Sequence, residues 1–228
     1  MRLAFGLVMF LSWPALAFDF LKPSYWQQQS SAVKLLSSIP KGSKVLEIDA
    51  VEGGKYFYYI PFGCAVTQWL TPEELQKQKG PVELAAGKLG LVVDFATGEL
   101  DEDYYDAAFC FGGVRRAGDE DKAAALMDTA LRSLKGNGKL YFLEPGPDAV
   151  KPLLEAALDS NDLVGDCVAS VEYDACIGVV TKTTAAEKKT QKTTQQQAPP
   201  GGVGMGTSSS RSTTKRSSKP PKSRGRPQ

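Results

Sequence analysis

Apolar and polar residues alternate in blocks through the middle of the chain. Longer segments with apolar residues every three or four positions separate short apolar runs, and the clearest of them lies between Asp119 and Lys135. Acids at its start and Gly136 after its last turn predict an amphipathic helix. The short runs are typical of strands buried on both faces and occupy residues 44–50, 64–70, 89–94, 105–111 and 139–144.

Other segments extend this pattern at both ends. Residues 27–38 predict a helix that packs across the first strand, and residues 148–158 predict another helix. Thr71-Pro72-Glu73-Glu74 predicts a helix start with Thr71 as cap. Residues 167–173 and 177–182 predict a terminal antiparallel pair. The sequence thus predicts an α/β, Rossmann-like, doubly wound, mostly parallel seven-stranded sheet with an antiparallel C-terminal edge.

The two ends of the chain differ from this domain. Residues 1–17 begin with a charge, continue as an apolar run and end in Pro14-Ala15-Leu16-Ala17, which predicts a cleaved signal peptide. An uncleaved anchor or a buried helix is the alternative, but the run is broken by Pro14 and Asp19 and is shorter than the roughly 20 residues of a spanning helix. Residues 18–43 form an N-terminal segment with its helix, 44–182 the folded domain, and 183–228 a basic tail whose composition predicts disorder.

The leader predicts entry into the secretory pathway and leaves the final compartment open. Secretion or retention in the endoplasmic reticulum is one possibility. The aromatic Phe18 after the cleavage position resembles the leaders of algae with complex plastids, so the plastid of an alga is the other.

Charge is distributed unevenly along the chain. Residues 182–228 hold eleven Lys or Arg and one acid, whereas residues 1–181 hold sixteen basic and twenty-five acidic residues. An acidic domain argues against nucleic acid binding on the fold itself. The basic tail predicts contact with an anionic partner, and a merely solvated tail is the alternative.

Histidine is absent from the 228 residues, which excludes histidine-based triads and most zinc sites that mix histidine with cysteine. The four cysteines form no Cys-x-x-Cys pair, so we predict no metal site and interpret them as packing residues. The strand assignments place them apart, and we therefore predict four free thiols.

Three stretches resemble the class I S-adenosylmethionine-dependent methyltransferases, in particular the thiol methyltransferase-like branch, over residues 36–181. They comprise a first strand with its acid, a fourth strand with an aromatic-Asp start, and a helix, glycine turn and fifth strand. These stretches are Val45-Leu46-Glu47-Ile48, Tyr104-Tyr105-Asp106-Ala107-Ala108, and residues 131–141. The resemblance implies a small-molecule substrate and S-adenosyl-L-methionine as cofactor.

The resemblance also implies where the cofactor would bind. The residues that match the family's cofactor positions are Glu47, Asp49, Gly53, Gly54, Asp94, Phe95, Phe111 and Gly112. The glycine loop of the family diverges here, because Asp49 and Val51 occupy its first two glycine positions. The second strand ends in Trp69-Leu70-Thr71, where the family has an acid for the ribose.

Two functions follow as alternatives. The first is in-line methyl transfer to a small molecule such as a thiol, which requires positioning more than a base. The fold would place four titratable candidates at the carboxyl strand ends or in the following loops, namely Asp49, Asp94, Tyr104 and Glu144. Catalytic residues stay unassigned, since none of these has a distinctive spacing. The second is a catalytically inactive methyltransferase-fold protein that serves as a binding or scaffolding module with a basic tail.

Overall fold

The computed structural model describes residues 22–50 and 54–184. The predicted leader, nearly all of the predicted tail and Gly53 lie outside these residues. The helices are α1 (Pro23–Ser37), α2 (Pro72–Leu89), α3 (Gly113–Ala117), α4 (Glu120–Ser133) and α5 (Pro147–Asp159), and a short 3-10 helix spans Phe57–Tyr59. The strands are β1 (Lys44–Ile48), β2 (Ala65–Trp69), β3 (Val92–Ala96), β4 (Tyr105–Phe111), β5 (Leu134–Pro145), β6 (Val164–Glu172) and β7 (Ala175–Lys182).

The strands form one seven-stranded sheet in the order β3-β2-β1-β4-β5-β7-β6. The first five strands pair in parallel, while β7 runs antiparallel to both β5 and β6. Tyr173 and Asp174 join β6 to β7, both with positive φ, as a tight hairpin turn of this hand requires. The predicted seven-stranded sheet with its antiparallel C-terminal edge is confirmed.

Several strand boundaries differ from the prediction by one to five residues, and the starts of β3 and β5 differ for a clear physical reason. The third strand was expected at residues 89–94, but α2 continues through Leu89 and ends at Gly90, whose φ of 64° is left-handed, so the strand starts at Val92. The fifth strand was expected to follow a glycine turn. It begins instead at Leu134, directly after α4. Its pairing with β4 shifts in register between Tyr105 and Ala107, and this irregularity accommodates the residues that were predicted as a turn.

Helices cover both faces of the sheet. On one face α1, the 3-10 helix and α2 enclose a core that includes Leu36, Val45 and Phe57. On the other face α4 and α5 enclose a second core that includes Met127 and Phe142. The predicted helix start at Thr71 is a complete capping box. Within residues 22–50 and 54–184, no helix is both long and apolar enough to cross a membrane.

All four cysteines are free, as predicted from the strand assignments. Cys64, Cys110 and Cys176 are buried, so their interpretation as packing residues holds. Cys167 is exposed on the edge strand β6, and for this residue the interpretation is wrong, because β6 has solvent on both of its faces.

Candidate active site at the carboxyl edge of the sheet

A crevice opens where β1 and β4 lie side by side. The connections that follow these two strands leave toward opposite faces, which is the usual position of a ligand site in a doubly wound sheet. Asp49 follows β1 with a φ of 53°, and Gly112 follows β4 with a φ of 77°. Asp tolerates this region better than most residues, so Asp49 keeps a backbone conformation that glycine usually supplies.

Arg116 on α3 crosses this crevice. Its Nε donates to Asp49 Oδ2 at 2.6 Å, and its Nη2 donates to the carbonyl oxygens of Asp49 at 2.6 Å and Phe111 at 3.3 Å. A Cβ at position 112 would lie 2.8 Å from the guanidinium, so Gly112 leaves room for it. Arg116 therefore ties the end of β1 to the end of β4.

Glu144, near the end of β5, holds the start of α3. Its buried carboxylate accepts from the backbone N–H groups of Val114 and Arg115, both at 3.1 Å, and from Cys110 Sγ at 3.7 Å. Burial raises the pKa of Glu144 to about 7, although the two backbone bonds counteract this. Since α3 carries Arg115 and Arg116, Glu144 positions both arginines.

A cavity of about 500 Å³ lies on one side of Arg116, at the ends of β1 and β2. We call it the apolar cavity. Trp69 forms part of its wall and is held by its indole N–H, which donates to the Gly98 carbonyl at 2.7 Å. The lining residues are Asp49, Trp69, Leu70, Thr71, Pro72, Glu74, Gly98, Gly113, Arg116, Ala117, Lys122 and Leu126.

A second cavity, of about 740 Å³, lies on the other side of Arg116. We call it the basic cavity, because four of its lining residues are Lys or Arg and one is an acid. Arg116 lines both cavities. The lining residues are Lys22, Ser24, Tyr25, Gln28, Gln29, Lys55, Tyr56, Phe111, Gly112, Arg115, Arg116, Leu143, Pro145 and Asp174.

The structure brings three of the predicted cofactor residues to the crevice. Asp49 lines the apolar cavity, and Phe111 and Gly112 line the basic cavity. The three residues thus lie near one another at the carboxyl edge, and their role toward a cofactor stays a prediction.

The other predicted residues that the structure describes lie elsewhere. Glu47 is buried and accepts from Gln68 Nε2 at 2.5 Å, so it links β1 to β2 within the fold. Gly54 packs against Phe57 with a φ of 79°. Asp94 is exposed in the middle of β3, level with Thr67, and Phe95 packs against the core.

Two of the four candidate bases do not lie at a carboxyl strand end. Tyr104 was expected at a carboxyl strand end, which is wrong, because it precedes β4 and lies at the opposite edge with Lys44 over its ring. Asp94 is two residues short of its strand end, since β3 reaches Ala96. Asp49 and Glu144 alone among the four candidates lie at the carboxyl edge.

Sequence reasoning missed Arg115 and Arg116. Their role depends on contacts with Asp49 and Glu144, which are distant in the chain. One signal was present, since two adjacent arginines directly follow the Phe111-Gly112-Gly113 loop in an otherwise acidic domain.

The connection after β1 also differs from what the resemblance implies. A family glycine loop leads into a helix, whereas the described residues 54–64 contain only the 3-10 helix Phe57–Tyr59. The helix N-terminus that would approach an anionic ligand is therefore lacking in this stretch.

No protein-family model matches the chain, and no curated protein matches it by sequence. Solved structures do match. The N-methyltransferase NodS from Bradyrhizobium japonicum, in complex with S-adenosyl-L-homocysteine, has a TM-score of 0.53 at 12% identity, over 74% of this chain and 91% of that one. A TehB-like S-adenosylmethionine-dependent methyltransferase from Corynebacterium glutamicum has a TM-score of 0.51 at 15% identity, over 75% and 100%.

The [4+2]-cyclase SpnF also shares this architecture, with a TM-score of 0.52 at 15% identity over 69% of this chain and 81% of that one. At such identities the likeness concerns the fold alone. The chain thus has the fold of the class I S-adenosylmethionine-dependent methyltransferases. Because a cyclase also has this fold, the fold alone does not define the reaction.

Proposed function

We propose that this protein is an S-adenosylmethionine-dependent methyltransferase acting on a small molecule. The observation that carries the proposal is that two cavities of unlike chemistry meet at Arg116, beside Asp49. Group transfer needs a donor and an acceptor held in line on either side of one point. The crevice between β1 and β4 offers such a point.

The residues present fit the cofactor by their chemistry. S-adenosylmethionine would supply an electrophilic methyl group on a sulfonium. The Trp69 indole and the apolar cavity suit an adenosyl group, since a base stacks well on an aromatic side chain. Asp49 and Arg116 carry opposite charges, and they suit the ammonium and carboxylate groups of the methionyl part.

The acceptor side needs no histidine. A thiol ionises readily and attacks without a strong base, so positioning supplies most of the rate. Glu144 is buried beneath α3 and engaged with its backbone, so it orients Arg115 and Arg116 instead of reaching an acceptor. On this ground we propose a thiol as the methyl acceptor.

A catalytically inactive binding or scaffolding protein is the second candidate. The Asp49–Arg116 pair spans the crevice, and Trp69 stands at the end of β2 where the family has an acid. In this case the pair would be a permanent structural link that closes the site.

Isothermal titration of the full chain with S-adenosylmethionine and S-adenosylhomocysteine tests the proposal. We expect both to bind, and Asp49→Asn to weaken binding by about tenfold, the equivalent of roughly 1.4 kcal/mol. Asp94→Asn is the matched control, because Asp94 lines neither cavity. Absence of heat with both ligands at millimolar concentration would remove the methyltransferase proposal and favour the inactive protein.

A further inference from the structure

We infer that the basic cavity binds a small molecule through a carboxylate or phosphate group. That this molecule is the methyl acceptor rests on the proposed function, whereas the anion site itself does not. Lys22, Lys55, Arg115 and Arg116 line the cavity against the single acid Asp174. Clustered positive charge in a concave site attracts anions and repels cations.

This charge contrasts with the rest of the folded part. Residues 1–181 hold sixteen basic and twenty-five acidic residues, yet four of those sixteen line this one cavity. A random distribution over an acidic domain would on average leave acids in the majority at a site. The net charge of the cavity is opposite in sign to that of the domain, so the positive charge is a local property of the site.

An aromatic wall accompanies the cations. Lys55 Nζ lies 5.3 Å from the ring centroid of Tyr25 and 5.2 Å from that of Tyr56. Tyr56 packs edge-on against Phe111, with ring centroids 4.8 Å apart. Flat apolar surface beside positive charge suits a planar ligand body that carries an anionic group.

Two tertiary contacts fix the walls of the cavity. Glu144 accepts from the Arg115 backbone N–H at 3.1 Å and so holds the base of that side chain. Gln28 Nε2 on α1 donates to the Tyr173 carbonyl at 2.9 Å, which joins α1 to the hairpin that bears Asp174. The cationic groups therefore belong to a site built from the start of α1, the connection after β1, α3 and the β6–β7 hairpin.

Binding of three aromatic probes to the full chain tests this inference in the absence of any adenosyl ligand. The probes are benzoate, phenyl phosphate and the neutral benzamide, measured by ligand-observed NMR and calorimetry. We expect the two anions to bind and benzamide to bind at least about tenfold more weakly, with the difference shrinking at high salt. Comparison of the two anions shows whether carboxylate or phosphate is preferred.

Charge variants locate the site. The double variant Lys55→Gln/Arg115→Gln should weaken anion binding by at least about tenfold, since two charge contacts are lost. Lys77→Gln/Lys88→Gln removes the same charge from exposed positions on α2 that line neither cavity, and should change binding less than about twofold.

A third variant should strengthen binding and so cannot be explained by misfolding. Asp174→Asn removes the one acid, and Asn tolerates the φ of 61° at this turn. We expect a gain of about threefold for both anions from losing one repulsive charge. Equal binding of benzamide and benzoate, or equal loss in both double variants, would overturn the anion site. Failure of adenosyl binding alone would overturn only the proposed function.

Discussion

The sheet has an amino edge, where the parallel strands begin, and a carboxyl edge, where they end. These two edges use charged side chains in different ways. At the amino edge, Asp106 accepts from the Lys44 backbone N–H at 2.8 Å and from Lys135 Nζ at 2.5 Å. Burial alone would raise the pKa of Asp106, but these bonds outweigh it and lower the pKa. At the carboxyl edge, Asp49 and Arg116 pair across a crevice flanked by two cavities.

The surroundings of these charged groups decide which of them can exchange partners. The amino-edge groups tie β1, β4, β5 and β7 together, and they line neither of the two cavities. Asp49 lines the apolar cavity and Arg116 lines both cavities, so a ligand can replace either partner. We therefore expect amino-edge variants to change stability, and carboxyl-edge variants to change binding.

Glu144 is the carboxyl-edge exception and should give the largest effect on stability. Its pKa rises from 4.5 to about 7 on folding, so the folded state holds its proton more tightly. The protonated side chain therefore stabilises the folded state by roughly 3 kcal/mol. This stabilisation is fully present below about pH 4.5 and is lost as pH rises through 7.

Urea unfolding of wild type and Glu144→Gln between pH 5 and 8.5 measures this. Because the chain has no histidine, few other groups titrate in this range. Wild type should lose stability relative to the glutamine variant as pH rises, and parallel curves for the two proteins would show that Glu144 does not titrate there.

Lys182→Met tests the amino edge. The buried Lys182 ammonium donates to Asp103 at 2.7 Å and to the carbonyl oxygens of Arg132 at 3.0 Å and Leu134 at 2.5 Å. Loss of these bonds leaves carbonyl groups unsatisfied and should cost about 2 to 3 kcal/mol in urea unfolding.

Lys151→Met is the matched control for this variant. Lys151 is 56% exposed and pairs with Glu155 at 3.7 Å within one helix, so its loss should cost less than about 0.5 kcal/mol. S-adenosylhomocysteine should bind Lys182→Met as it binds wild type. A weaker affinity in that variant would contradict the division between the two edges.

Trp69→Leu should weaken ligand binding by a smaller free energy than the two changes in stability above. Loss of the indole wall of the apolar cavity should weaken methylthioadenosine binding by about tenfold, or roughly 1.4 kcal/mol, in calorimetric titration. Trp26→Leu is the control, because Trp26 is 61% exposed on α1 and lines neither cavity. Equal affinities for the two variants would place the adenosyl group elsewhere.

The sequence predicted those parts of the fold in which local patterns decide the structure. Residues 105–111 form a strand because their apolar run is nearly continuous, and Thr71 caps α2 because the capping box is local. The boundary at Leu89 was wrong because an apolar residue at a helix end looks like the start of a strand.

The candidate site could be predicted only in part. Asp49 and Gly112 follow predicted strands, so topology alone places them together. Arg116 escaped prediction because its partners lie far away in the chain, and the basic cavity depends on α1 and the hairpin meeting. Entry into the secretory pathway and an anionic partner for the tail stay predictions from the sequence.

Titration of Arg116→Ala with two ligands distinguishes an arginine that binds the cofactor from one that only closes the crevice. S-adenosylhomocysteine has the amino-acid part that Arg116 would bind, and methylthioadenosine lacks it. We expect the variant to bind S-adenosylhomocysteine at least about tenfold more weakly than wild type does, while its affinity for methylthioadenosine changes less than about twofold. Tighter binding of S-adenosylhomocysteine to the variant would contradict it, because Arg116 would then close the crevice instead of serving the ligand.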